Sequence, residues 1–175
     1  MAVLDAMAQR QNVPLWKFLG GSNGKGEQPL RHFLTDASLH TAIPPASAYK
    51  MKGSPTVTET LGRVREFRTL LGPNAHLTID ANQGWKREDW LENRCQWKDL
   101  EPLCIEEPCP FWWVDESESP SPLSIAADEA LHTLPLETLL ALPSVTTFTL
   151  KPLFLGGATP TLKLAERIRE AGKTA

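Results

Sequence analysis

Five ionisable residues recur through the chain at a steady interval: Lys52, Asp80, Glu106, Asp128 and Lys151, 22 to 28 residues apart. Each closes a short apolar run, such as Leu-Thr-Ile before Asp80, Leu-Cys-Ile before Glu106 and Phe-Thr-Leu before Lys151. Three carboxylates between two lysines suit a definite chemistry. Carboxylate oxygens are hard donors, so three on neighbouring strands favour Mg²⁺, or Mn²⁺. The cation offsets their repulsion and serves as a Lewis acid toward a substrate carboxylate, stabilising the added negative charge of an enediolate. Lys52 and Lys151 then lie across the substrate from each other. Lys50 shares the strand face of Lys52, because side chains alternate with a period of two. Its charge, with partial desolvation, is expected to lower the pKa of Lys52 toward working pH and make it a base.

The elements that must position these residues alternate. Residues 2–11 are helical in pattern, Asn12-Val13-Pro14 interrupts them, and a short segment Leu15–Leu19 ends at Gly20-Gly21. Strands are expected near His32–Ser38, Ala48–Lys52, His76–Ala81, Leu103–Ile105, Leu123–Ala127 and Thr146–Leu150. Helices are expected over Thr58–Leu71, Arg87–Trp97, Leu136–Ala141 and Thr161–Ala171 from their three-to-four apolar spacing. The interval between charged strand ends approximates one βα unit of about 30 residues. Strands alternating with helices imply parallel βαβ units, hence an α/β barrel or doubly wound sheet. In a barrel, charges at the carboxyl ends of successive strands converge on one face.

Composition narrows the partners. With 18 basic and 21 acidic residues among 175, the formal charge is −3, which offers no basic stripe for nucleic acid. No run approaches the roughly 18 apolar residues of a membrane span, and the N-terminus lacks the order of a signal peptide. Cys95, Cys104 and Cys109 are an odd number at spacings that match no common zinc pattern, which suits structural thiols in a reducing cytoplasm.

Taken together, Lys50-Met51-Lys52, Asp80-Ala81-Asn82, Ile105-Glu106-Glu107-Pro108, Ala127-Asp128-Glu129 and Leu150-Lys151-Pro152 with Gly156-Gly157 resemble the enolase superfamily, muconate-lactonizing subgroup. The segment Val13 to Gly21 resembles the lead into that family's barrel. The resemblance implies an incomplete enolase-type (β/α) barrel over residues 1–175, with 1–21 leading in and 32–171 carrying about six strands. It implies Asp80, Glu106 and Asp128 as metal ligands, Lys52 as acid/base, Lys50 as its electrostatic partner, and Lys151 as the opposite lysine. Asn82 and Glu129 are implied as supports of these groups. The reaction implied is abstraction of a proton α to the carboxylate of a small molecule. Glu106-Glu107-Pro108-Cys109 and the run 150–157 look most like the o-succinylbenzoate synthases of menaquinone biosynthesis, with dipeptide epimerases the alternative.

The chain also departs from that pattern. Nothing resembling the family's capping domain precedes the first helix, and strands seven and eight are not represented. The first crossover has about nine residues where a parallel connection needs a dozen or more, so its helix is expected to be shortened or deleted. Strands one and six would then be bare edges. The chain is expected to turn over little or no substrate alone, and a non-catalytic, metal-binding remnant is the competing reading. Its oligomeric state is not legible.

Other motifs carry less. The segment Gly20 to Gly26 lacks the four-residue spacing and the Ser or Thr of a phosphate loop, and reads as a plain loop. Trp112-Trp113 and the isolated His32, His40, His76 and His132 read as packing or surface residues. Tyr49 and Met51 should face the helices.

Overall fold

The computed structural model describes residues 2–21, 31–46, 48–100, 104–110 and 123–175. Residues 22–26 of the expected loop, Trp112-Trp113 and Leu103 lie outside the described residues. The chain opens with α1 (Ala2–Arg10) and a single turn, α2 (Leu15–Phe18). Six strands follow: β1 (Arg31–Leu34), β2 (Ala48–Lys52), β3 (Leu77–Asp80), β4 (Cys104–Glu106), β5 (Ile125–Ala127) and β6 (Val145–Phe148). Between them run α3 (Val57–Leu71), α4 (Arg87–Leu100) and α5 (Leu136–Leu140), and α6 (Ala158–Glu170) comes after β6.

All six strands are parallel and lie side by side in chain order. A parallel crossover is right-handed, so connections that always step the same way place every helix on one face. The sheet then curls as the wall of a barrel; a doubly wound sheet reverses its strand order, and this one does not.

The two faces differ in chemistry. Tyr49, Met51, Leu77, Ile79, Ile105, Ile125, Val145 and Phe148 join the helix residues Val57, Leu61, Val64, Phe67 and Trp97 in one buried core. Tyr49 and Met51 face the helices as expected, and the Tyr49 hydroxyl donates to Pro44 O and accepts from Ala46 N. The opposite face carries Lys50, Thr78, Cys104, Ser124 and Ala126. Barrel interiors are usually filled by branched apolar residues; this one is small and polar.

Strand one is shorter than its apolar run suggests. Ser38 Oγ accepts from Thr35 N at 3.0 Å and Ser38 N donates to Thr35 O at 2.9 Å, which winds Asp36–His40 into a 3-10 turn instead of extending β1. Strand four includes Glu106, and strands five and six are shorter than their apolar runs. The far edge also differs from expectation. After α6, Gly172 takes φ +76° and the chain turns back along β6. There Thr174 pairs in parallel with Thr147, and backbone bonds join Thr174 to Thr146 and Phe148 at 2.9 Å each. The outer edge of β6 is therefore met by the chain's own last residues.

Candidate active site

Register sets the level of the site. Lys52 lies beside Asp80, and Asp80 beside Glu106, at the carboxyl ends of three adjacent strands. Asp128 directly follows β5. Lys151 reaches the same level by a different device. The β5–β6 ladder slips between Ile125 and Ala126, whose partners are Val145 and Thr147, so Thr146 is bulged out. Val145 and Phe148 both enter the helix-facing core although three residues apart, which unbroken alternation forbids. The bulge shifts the parity of the residues beyond it and turns Thr149 and Lys151 to the polar face.

At that level the cations and carboxylates pair. Lys50 Nζ stands 2.8 Å from both Asp80 Oδ2 and Glu106 Oε2. Lys151 Nζ pairs with Asp128 Oδ2 and lies 3.7 Å from Glu129 Oε1. Asn82 Nδ2 donates to Glu129 Oε1 at 3.4 Å, and Asn82 N to Asp80 Oδ1 at 3.2 Å. Lys52 is exposed at the rim, on the face of Lys50. Every site residue expected from the sequence thus lies at one end of the sheet. The three carboxylates do not close into a three-ligand cluster among the described residues. Each is instead drawn to its nearest ammonium group.

The electrostatics follow from burial. Glu106 is 1% exposed; desolvation raises its pKa, Lys50 opposes that rise, and the neighbouring Asp80 and Asp128 carboxylates add to it. Burial pulls Lys50 and Lys151 down, but the carboxylates beside them outweigh it and hold both above the usual lysine value. Glu106 Oε1 and Asp128 Oδ1 are buried with no hydrogen-bond partner. Two buried carboxylate oxygens that lack donors are acceptors for a cation, and an all-oxygen set fits Mg²⁺ or Mn²⁺. The residues present therefore fit the metal that their types imply. Below Glu106, a cleft of about 320 Å³ is lined by Cys104, Ser124, Thr146, Thr149 and Thr174.

One residue in the site has no role in the sequence pattern. Glu107 should point away from Glu106 and into the core, but φ of +46° swings it between the strand ends. It is fully buried; its Oε1 accepts from Asp128 N at 2.7 Å and Ala130 N at 3.0 Å, and its Oε2 from Gln83 Nε2. Asn82 and Gln83 also hold positive φ, so three strained residues gather at these strand ends. Adjacent acidic residues in a strand-end motif were the only available signal.

The remaining motifs are structural. His132 packs edge-on against Phe154 and His32 against Tyr49. Burial pushes the Cys109 thiol up to about 11, so it is inert. Trp85, Trp90 and Trp97 stack behind the site, and Trp85 Nε1 donates to Ser54 O at 3.0 Å, bracing the loop after Lys52.

The family description Enolase C-terminal domain-like matches residues 38–175. An N-succinyl-L-Arg/Lys racemase of Bacillus cereus is 24% identical over 196 residues, covering 98% of this chain and 50% of its own length. An L-Ala-D/L-Glu epimerase of Clostridium acetobutylicum is 28% identical over 120 residues, covering 64% of this chain and 34% of its own. A solved muconate cycloisomerase from Pseudomonas fluorescens superposes with a TM-score of 0.82 at 25% identity, over 98% of this chain and 51% of that one. The chain spans about half the length of the relatives that it matches end to end.

Proposed function

Because the chain belongs to the Enolase C-terminal domain-like family, we propose that it carries the carboxylate and lysine groups of a site that removes a proton α to a carboxylate. The observation that supports this most is the pair of buried, donor-less oxygens, Glu106 Oε1 and Asp128 Oδ1, between lysines on two sides. When bound by Asp80, Glu106 and Asp128, Mg²⁺ or Mn²⁺ supplies Lewis acidity to the substrate carboxylate. Lys52, in its amine form, takes the α-proton, and the electron pair of the broken C–H bond moves toward the carboxylate. Lys50, paired with Asp80 and Glu106, holds those two carboxylates in place. Lys151, held protonated by Asp128, returns a proton to the opposite face, which inverts the centre.

Racemisation or epimerisation of an N-acylated or dipeptide substrate is favoured by the names of the relatives. Dehydration, as in o-succinylbenzoate synthase, is the second reading; Lys151 would then remain a cation against the developing charge. Three thiols without a disulfide support a cytoplasmic setting.

The test begins with calorimetry of Mg²⁺ and Mn²⁺ on the chain and on an Asp80→Ala, Glu106→Ala, Asp128→Ala triple variant. Binding that the variant loses is expected. In D₂O with Mg²⁺, N-succinyl amino acids and dipeptides should then exchange their α-hydrogen slowly by NMR, in keeping with the low turnover expected of this chain alone, and Lys52→Ala should stop this for one enantiomer. Metal binding equal in the two proteins, or exchange unaffected by Lys52→Ala, defeats the reading.

A further inference from the structure

An aspartate that precedes a helical turn ordinarily spends its carboxylate on that turn, accepting from the amide of the second or third residue. Asp128 occupies that position before the 3-10 turn Glu129–His132, yet its side chain makes no capping bond. The amide it would satisfy, Ala130 N, donates instead to Glu107 Oε1, which also accepts Asp128's own N–H. Asp128 is held with φ −132° and ψ −82°, outside the ordinary helical and strand regions. Glu107 in turn is fixed by Gln83, whose N donates to Glu107 O at 2.6 Å and whose Nε2 donates to Glu107 Oε2. One buried carboxylate thereby ties the ends of β3, β4 and β5.

We infer that Glu107 is a positioning residue: it caps the turn after β5 in place of Asp128, and so keeps the Asp128 carboxylate available to the site. The inference rests on the reading of Asp128 as a metal ligand. Without Glu107, Ala130 N falls to the acceptor that a capping aspartate ordinarily offers, and the Asp128 carboxylate is drawn out of the site onto the turn. Glutamine at 107 still offers a carbonyl oxygen with two lone pairs, and the Gln83 amide can flip to meet its NH₂. Aspartate at 107 is one methylene too short.

The experiment compares Glu107→Ala, Glu107→Gln and Glu107→Asp by Mg²⁺ calorimetry and by amide hydrogen exchange of the metal-free chain, with thermal melts as a check of folding. Glu107→Ala is expected to weaken Mg²⁺ binding by about 10- to 100-fold, the usual cost of losing a group that orients a ligand. Glu107→Gln should bind close to the parent. Protection at Asp128 N should vanish in the alanine variant and persist in the glutamine variant, while Ala130 N, taken up by the Asp128 carboxylate when Glu107 is lost, should stay protected in both. In an Asp128→Ala background, Glu107→Ala should cost no further affinity, which a general loss of structure would not reproduce. Unchanged affinity in a folded Glu107→Ala, or equal losses in Ala and Gln, overturns the inference. If Glu107→Ala does not fold, the Asp and Gln variants decide: Asp weak and Gln tight supports it, and equal affinities overturn it. A parent chain that takes no Mg²⁺ overturns the reading of Asp128 as a ligand, and loss of amide protection in that case supports the cap alone.

Discussion

Lys50 Nζ and Glu106 Oε2 meet at 2.8 Å across the intervening strand β3, and the same ammonium group stands 2.8 Å from Asp80 Oδ2. Lys50 lies one layer below Asp80 and Glu106 in register, beside Thr78, and its side chain rises to reach both. The pair binds three neighbouring strands through side chains alone.

Removing that cation should be costly. Lys50→Met leaves two carboxylates largely buried without an opposite charge, and breaking such a pair costs about 3 kcal/mol. Urea unfolding at neutral pH in metal-free buffer measures it; an unchanged midpoint would show that the pair contributes nothing net.

The pH dependence has an unusual sign at the site. Burial raises Glu106 and Glu107 above the usual 4.5, so the folded chain holds these protons more tightly than the unfolded one. Their contribution is full below pH 4.5 and is lost as pH rises through the raised values. Lys50 and Lys151, raised above 10.5, contribute fully below that value and lose their contribution as pH rises through their folded pKa. The stability of the parent relative to a Glu106→Gln, Glu107→Gln double variant should therefore fall as metal-free buffer is taken from pH 4.5 toward neutrality. A relative stability that climbs over that interval contradicts the assignment.

Gly53 follows Lys52 directly, and its N–H donates to Asp80 O at 2.7 Å. A Cβ there would stand 3.1 Å from Trp85 Cζ2 and 3.2 Å from Ala81 Cα. The backbone cannot yield as a side-chain tip would. Gly53→Ala should lose about 1 to 3 kcal/mol and weaken Mg²⁺ binding by displacing the end of β3. Calorimetry that finds the parent affinity would mean the strand ends absorb the methyl group without moving.

Thr60 is fully buried, and its Oγ1 accepts from Ser54 N at 2.8 Å while donating to Thr56 O at 2.9 Å. Thr60→Val keeps the shape and removes both bonds, leaving the Ser54 amide without that acceptor. The expected cost is about 1 to 3 kcal/mol. Hydrogen exchange should show faster opening at Ser54, and protection equal to the parent would refute the role given to this hydroxyl.

Much of the site was legible because its signals are local. A charge at the end of an apolar run, repeated at the length of one βα unit, follows from strand alternation and helix length alone, and the bounds of β2, Ala48–Lys52, match that pattern to the residue. The register of Lys52, Asp80 and Glu106 agrees with it as well. The features that were not legible depend on partners distant in sequence or on single side-chain bonds. The first strand stops at Leu34 because Thr35 and Ser38 bond to each other, and no apolar pattern records that. The outer edge of β6 is met by Thr174, across a helix and a turn.

The sequence by itself determined the parallel α/β class, the family resemblance and the set of ionisable residues that gather at one end of the sheet. The tertiary structure decided which of them pair and where two of them point. Lys151 reaches the polar face only through the bulge at Thr146, and Glu107 turns between three strand ends only because its φ is +46°. Strand alternation is a property of neighbouring residues and is written in their order. A bulge or a left-handed backbone angle persists only when contacts from other strands outweigh its local cost, and those contacts exist only in the folded chain.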